Sequence, residues 1–329
     1  MADQARLGRD GPLIGRVGLG SWELAGPSRF GWGPVDDDES IATIRHAIES
    51  GVDFVDTAAF YGRGHSEEVV GRALEPFDVG EDVLVFTKCG LRWDPASDPD
   101  DPPTNNLRPA SIRYEVDMSL KRLGLDRIDL YQCHWPDRIG TPVEESWGAM
   151  TELVDEGKVR WLGVSNFDIE LLERCERIRH VDSLQPPFNL LDRRARAGLT
   201  DWCVRHGTGV LAYSPMSSGL LTGSFSHAEA ASLATTDWRR YAPQFKDPIL
   251  SRNLALVDEI RPIAARLGAT VPELVIAWVL HQVGVTAAIV GAKTPTEVDG
   301  WIRAPDVALD ETVLHEIEQV IARTGAGLA

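Results

Sequence analysis

The sequence predicts an α/β protein built as one closed (β/α)8 barrel, a TIM barrel, spanning 1–329 as a single domain. Eight short β-branched runs alternate with longer amphipathic stretches almost from end to end, which is the rhythm of a parallel sheet with crossover helices. Eight such repeats suit a closed barrel better than an open sheet. No G-x-G-x-x-G joins a first strand to a helix, so the phosphate loop of an open dinucleotide-binding sheet is missing.

The opening RLGRDGPLI (6–14) reads as a small hairpin plugging the barrel bottom. Strands are expected at RVGLGSW (16–22), VDFVDTA (52–58), DVLVFTK (82–88), RIDLYQCH (127–134), VRWLGVSN (159–166), DSLQPP (182–187), TGVLAYSP (208–215) and VTAAIVGA (285–292). In the first of these, Gly18 and Gly20 read as close backbone packing. Amphipathic segments such as DDESIATIRHAIESG, RPASIRYEVDMSLKRLG and PVEESWGAMTELVDEG start on acids, Ser or Pro and stop near Gly, as helices do. Two long breaks, the Asp/Pro-rich 91–106 and the stretch 216–250, interrupt the rhythm; long loops in such a domain are usually functional. The tail LDETVLHEIEQVIAR (309–323) reads as an extra C-terminal helix.

Composition excludes several classes. The net charge of −17 argues against nucleic acid or an anionic membrane surface as partner, because both need clustered cations. The polar start MADQARLGRDG lacks a signal core, and no run of about eighteen apolar residues exists to span a membrane. The four cysteines, Cys89, Cys133, Cys175 and Cys203, form no CxxC pair or metal spacing, so a reduced, cytoplasmic protein is expected. No segment carries the signature of a fixed assembly.

Active sites of such barrels are built at the C-terminal strand ends. The second strand ends on Asp56, the third on Lys88 and the fourth on His134, with Tyr61 in the loop beside them. Taken singly, these read as a cap, a solvated strand end, a structural histidine and a packing aromatic. Together they form an acid-base unit. A phenol with an ordinary pKa near 10 is a sluggish proton donor or acceptor at neutral pH. A neighbouring ammonium is expected to lower it, a carboxylate to hold the ammonium, and an imidazole to orient a carbonyl oxygen. Such a unit suits reduction of a C=O or oxidation of an alcohol.

The stretches VDFVDTAAFYGRGHSEEVVGRAL, VFTKCG, SLKRLGLDRIDLYQCHWP, GKVRWLGVSNF, LQPPFNLLDR, VLAYSPMSSGLLTG and IVGAKTPTEV are long, ordered and correctly spaced, and by them the chain resembles the aldo-keto reductase family over nearly its whole length. The resemblance implies an NAD(P)H-dependent oxidoreductase with Asp56, Tyr61, Lys88 and His134 as its catalytic tetrad and Tyr61 as general acid. It implies that Ser165, Asn166 and Gln185 hold the nicotinamide carboxamide and that Tyr213 stacks on the ring. By the same resemblance Gly20, Ser21, Trp22 and Asp56 border the cofactor, the loop with Ser214, Pro215, Met216, Ser217, Gly219 and Leu220 takes the pyrophosphate, and Arg239 reaches the phosphates. Gly291, Ala292, Lys293 and Glu297 would meet the adenosine end, Lys293 reading a 2′-phosphate. Glu297 stands where the family often has Arg. A carboxylate there would repel a 2′-phosphate; NADPH is still the default the resemblance implies, with NADH possible. Ser165 and Asn166 also read as an N-cap for the helix in FDIELLERC, and the helix starting near Thr294 as one with N–H groups free for an anion.

Trp22, Trp32, Trp93 and Trp135 cluster in the rim loops and, with Tyr61 and His134, suggest a pocket for an apolar or ring-bearing aldehyde, ketone or sugar. A metallohydrolase reading lacks an H-x-H pair or a second strand-end His, and no metal is expected. A cofactor-binding regulatory subunit, like the potassium-channel β subunits that share the fold, is the alternative from another class.

Overall fold

The structure, a computed structural model, describes residues 4–27, 30–98 and 100–327. The first three residues of the polar N-terminal stretch, and Pro99 of the 91–106 loop, lie outside them. Eight parallel strands close a barrel: β1 (Val17–Gly20), β2 (Phe54–Asp56), β3 (Leu84–Cys89), β4 (Ile128–Cys133), β5 (Val159–Ser165), β6 (Ser183–Gln185), β7 (Gly209–Tyr213) and β8 (Val285–Gly291). Each pairs with its chain neighbour, β8 pairs with β1, and the eight expected strands are all present.

The period of two along the strands sorts side chains into two cores. Alternate positions such as Val55, Val85, Tyr131, Val164 and Leu184 pack outward under the helices. The intervening positions Phe54, Phe86, Leu130, Leu211 and Ala287 fill the barrel, where Phe54 and Phe86 stack with ring centroids 5.0 Å apart. The interior has no room beside these rings, because a Cβ on Gly18 would fall 2.0 Å from the Phe54 ring. One step further along β2, β3, β4 and β6, the next alternate positions are Asp56, Lys88, Gln132 and Gln185, all buried. The apolar filling thus gives way to a polar layer at the C-terminal end.

The opposite end is closed by the antiparallel hairpin Gln4–Arg6 and Leu13–Gly15. It inserts Leu7 and Ile14, both fully buried, into the interior cluster, and Asp53 holds it by accepting from the Gly15 N–H at 2.8 Å. On the outside, α1 (Asp37–Glu49), α2 (His65–Leu74), α3 (Pro109–Leu123), α4 (Val143–Asp155), α5 (Ile169–Glu176) and α6 (Leu199–His206) follow the first six strands in turn.

The stretch 216–250 is not a bare loop. It carries α7 (His227–Ser232) and single 3-10 turns at Ser217–Gly219, Trp238–Arg240 and Pro243–Phe245. After it come α8 (Ile249–Arg266) and α9 (Val271–Leu280); every residue of α9 except Pro272 is buried. The short α10 (Pro295–Asp299) follows β8, and α11 (Glu311–Thr324) is the expected C-terminal helix. The 91–106 loop folds back as a two-stranded ribbon, Leu91–Arg92 against Thr104–Asn105. Among the described residues no single helix is long and apolar enough to cross a membrane. All four cysteines are buried and free.

Truncating the plug tests its contribution. Leu7→Ala is expected to cost about 2–5 kcal/mol of stability, read by urea denaturation, while turnover at the far end of the barrel stays within about twofold.

Candidate active site

The polar layer is organised around one buried ammonium. The side chains of Lys88 and Asp56 are 0% and 4% exposed and form an ion pair through Asp56 Oδ1. Lys88 Nζ also donates to the Thr57 carbonyl at 2.9 Å. The other Asp56 oxygen accepts from Gln185 Nε2 at 2.9 Å and Gln132 Nε2 at 3.3 Å. Desolvation lowers the Lys88 pKa from its ordinary value, opposed by the charge and hydrogen bond of Asp56. An unpaired charge at such depth would cost several kcal/mol, so the carboxylate and its two amide donors are a condition for the lysine to be there.

Tyr61 reaches the same spot from a tight turn. The chain leaves β2 with the Thr57 N–H donating to the Phe86 carbonyl at 2.8 Å, and the Tyr61 N–H donates back to Ala58 at 3.0 Å. Gly62, Arg63 and Gly64 then run at φ of 59°, 55° and 104°, a left-handed path that favours glycine. Arg63, the non-glycine in it, ties the turn to the next loop by donating to the Ser97 carbonyl at 2.9 Å and Oγ at 3.1 Å. Behind the turn, the first helical acid of α2 is not exposed. Glu67 is fully buried and accepts from Thr87 at 2.6 Å and Arg122 Nε at 2.7 Å.

The Tyr61 ring centroid lies 5.2 Å from Lys88 Nζ and 5.6 Å from the His134 ring, which meets it edge-on. The lowering expected from Lys88 is opposed by the surroundings of the phenol. Burial, then the negative charge of Asp56, and then Glu23 and Tyr213, push Tyr61 well above its ordinary value. The ammonium is committed to Asp56, whose carboxylate offsets part of its effect on the phenol. Burial, then the Lys88 charge, hold His134 well below its ordinary value. The chemistry available is a protonated phenol and a neutral imidazole facing one cavity.

That cavity, about 480 Å³, opens over the C-terminal strand ends. One wall holds Ser165, Asn166, Gln185 and Tyr213. Ser165 donates to the Gln185 carbonyl at 2.8 Å, and Tyr213 OH donates to Asn166 Oδ1 at 3.0 Å. Asn166 Nδ2 donates to the His134 carbonyl at 3.1 Å and to Ser165 Oγ at 3.0 Å. Ser165 and Asn166 do not cap α5; that helix starts on Asp168, which accepts from the Leu171 N–H at 2.9 Å. The wall continues through Ser214, Pro215, Met216, Ser218 and Gly219. Ser214, Ser217, Ser218 and Gly219 have φ of 53°, 49°, 55° and 96°, and successive turns of this kind present backbone N–H groups to an anion.

Comparison with known proteins agrees with this geometry. A profile of the Aldo/keto reductase family matches residues 16–322. The protein belongs to the aldo/keto reductase family. It is 36% identical over 293 residues to the aldo-keto reductase YhdN of Bacillus subtilis, covering 87% of this chain and 85% of that one. It is 32% identical over 329 residues to an NADH-specific methylglyoxal reductase of Escherichia coli, covering 96% and 98%. Among solved structures, the glycerol dehydrogenase of Gluconobacter oxydans superposes with a TM-score of 0.88 at 36% identity, covering 99% of this chain and 97% of that one.

In this aldo-keto reductase the cavity gathers most of the residues expected there: Gly20, Trp22, Trp32, Asp56, Tyr61, His134, Trp135, Ser165, Asn166, Gln185, Tyr213, Ser214, Pro215, Met216, Gly219 and Gly291. Lys88 lies beneath the floor. Ser21 is buried behind it, accepting from Ser66 at 2.8 Å, and Ser217, Leu220 and Ala292 do not line it. Trp93 turns to a separate depression with Arg63, Arg92 and Tyr114.

The cations expected to read phosphates are already engaged. Arg239 forks onto Asp237, with its shortest contact 2.7 Å, and lies 4.7 Å over the Trp32 ring. Lys293 Nζ donates to the Trp32 carbonyl at 2.7 Å. Glu297 is exposed and accepts from the Lys293 N–H at 2.7 Å. The N-cap Thr294 takes the Glu297 N–H, so the expected anion site at α10 is partly closed by the chain itself.

Sequence reasoning missed Glu23, Phe30, Phe60, Leu91, Asn105 and Arg138, which also line the cavity. Glu23 stands one residue beyond a Trp already singled out. Among the described residues no group of three or more His, Cys, Asp or Glu is placed to hold a metal ion.

The ion pair has a measurable signature. Asp56→Ala is expected to destabilise the protein by about 3–5 kcal/mol, because it strands the Lys88 charge. Adding Lys88→Met should restore most of that loss in chemical denaturation.

Proposed function

We propose that this protein is a nicotinamide-dependent reductase of small aldehydes or ketones, using Tyr61 as the proton donor. The single observation that carries the reading is the pairing of a protonated Tyr61 with a neutral His134 at the floor of one cavity, above the buried Lys88–Asp56 pair. The donor set fits a dinucleotide. Tyr213 offers a ring face, Asn166, Ser165 and Gln185 offer amide and hydroxyl groups, the turns at Ser214–Gly219 offer N–H groups, and the buried Trp32 indole N–H has no hydrogen-bond partner among the described residues. When bound, the nicotinamide supplies a hydride to the carbonyl carbon.

The chain's own part is to hold and move a proton. A carbonyl oxygen between Tyr61 and His134 accepts the phenolic proton as charge develops on it. His134, neutral, orients that oxygen without placing a second positive charge beside Lys88. Trp22, Phe30, Phe60 and Trp135 give the pocket apolar walls that exclude water. The E. coli relative's name, a methylglyoxal reductase, and that of the Gluconobacter structure, a glycerol dehydrogenase, both point to compact oxygenated substrates. The whole chain, 1–329, would act as one unit, and four buried free thiols suit a reducing, cytoplasmic location.

For the cofactor, the expected preference for NADPH loses its support. Lys293 and Arg239 are committed within the protein, and Glu297 and Glu23 place carboxylates nearby. NADH, which lacks the 2′-phosphate, is the better fit, in line with the name of the NADH-specific relative.

Two measurements test this. Tyr61→Phe should bind NADH nearly as well as the unaltered protein while kcat for aldehyde reduction falls by about 10²–10⁴-fold; near-normal kcat would remove Tyr61 from the acid role. Steady-state kinetics should give NADH a kcat/KM at least about tenfold above NADPH, and a ratio reversed in favour of NADPH would return the reading to Lys293.

A further inference from the structure

One half-buried acid of the cavity is unused by the proposed chemistry. Glu23 sits in the short turn Trp22–Leu24 after β1 and lines the cavity on the side away from His134, beside Gly291 at the end of β8. The contact with Gly291 is intimate. A Cβ at that position would lie 2.1 Å from the Glu23 carboxyl carbon and 2.2 Å from each oxygen. A side chain there would displace the carboxylate from this position, so the two residues form one feature of the wall.

The charged groups facing Glu23 are Glu297 and Lys293 beyond β8 and Arg239 from the Trp238–Arg240 turn. Neither cation forms an ion pair with it. Lys293 is turned to the Trp32 carbonyl and Arg239 to Asp237. Among the described residues this carboxylate has no ion-pair partner, and it lines the same cavity as the Ser214–Gly219 turns that would receive an anion.

We propose that Glu23 is a specificity-determining residue of the dinucleotide site: its carboxylate selects against additional phosphate and couples dinucleotide binding to the uptake of one proton. The proposal rests on the reading of the cavity as a dinucleotide site. The coupling follows from Coulomb's law at a site with little water. An ionised Glu23 repels the diphosphate, so the bound state favours its protonated form. Its carboxyl is poised for this. Burial pushes it up to about 7, with its own backbone N–H pulling the other way, Glu297 adding to the rise, and Lys293 and Arg239 opposing it. Binding raises that value further, so affinity is greatest where free Glu23 is already protonated. Affinity falls as pH rises through about 7 and levels off once Glu23 is ionised in the complex as well. His134 is held well below this window and Tyr61 well above it.

The experiment is direct binding, without turnover. Trp22 and Trp32 line the cavity, so quenching of protein fluorescence reports NADH occupancy. For the unaltered protein the Kd of NADH should rise about fivefold to tenfold between about pH 6 and pH 9. In Glu23→Gln, and equally in Glu23→Ala, the profile should flatten, and the ratio of NADPH to NADH Kd should fall about fivefold or more. Glu297→Gln should retain the slope. A slope that survives in both Glu23 variants, or one lost only in Glu297→Gln, overturns the proposal while leaving the dinucleotide reading intact. Failure of the unaltered protein to bind NADH at any pH overturns that reading, and this proposal with it.

Discussion

A lysine ammonium with no exposed surface dictates the upper half of this barrel. Lys88 can be buried only with Asp56 against it, and Asp56 can face inward only if its second oxygen is satisfied. The donors come from Gln132 and Gln185, so β2, β3, β4 and β6 must all keep the register that brings their polar positions to one height. A slip of one residue would flip the polar layer outward and drive Val85 or Leu184 into the interior. The phenylalanine and leucine filling below sets the height of that layer, and the hairpin with Leu7 and Ile14 closes the interior from beneath. Catalytic geometry and barrel packing are here one constraint.

Above the floor, segments far apart in sequence are fastened by an aromatic knot. Trp22 meets Trp32 edge-on at 5.4 Å and stacks on Trp238 at 5.8 Å, and Trp238 meets Phe245 edge-on at 6.0 Å. Arg239 lies over Trp32, and Lys293 donates to the carbonyl of the same tryptophan. The knot draws the loops after β1, β7 and β8 together and consumes the two cations that sequence comparison assigns to phosphates. The chain thereby gives up cationic recognition on this side of the cavity for shape and apolar contact. Glu23 then tilts the local charge towards negative.

The barrel was legible because its signals are local and repeated. Each strand is a short β-branched run with period-two alternation, and each of β2, β3 and β4 ends in or beside a titratable residue. That Asp56, Tyr61, Lys88 and His134 would meet was legible because they stand at or beside the ends of neighbouring strands. What stayed hidden depended on packing between distant segments. α9 is buried all round, so it lacks the amphipathic period that marks a surface helix. Trp93 counts as a rim tryptophan in sequence, yet its backbone turns it to the outer side of the 91–106 ribbon. Lys293 reads as a phosphate ligand until the Trp32 carbonyl, 261 positions earlier, is found against it. Glu23 carries no motif; its meaning comes from Gly291, across the β8–β1 seam.

The direction of the Tyr61 shift bears on how the site manages its proton. A phenol lowered by a free ammonium would lose its proton readily and act equally well as base. Here Lys88 is paired with Asp56, and burial together with the Asp56 charge holds Tyr61 well above its ordinary value. In the proposed reaction such a group gives up its proton to an oxygen on which negative charge is growing. His134 cannot compete as donor, because burial and Lys88 hold it neutral. The two groups have therefore been pushed apart in proton affinity by one surrounding, the same dry floor with its single compensated charge. The separation suits the roles proposed for them, donation by the phenol and orientation by the imidazole.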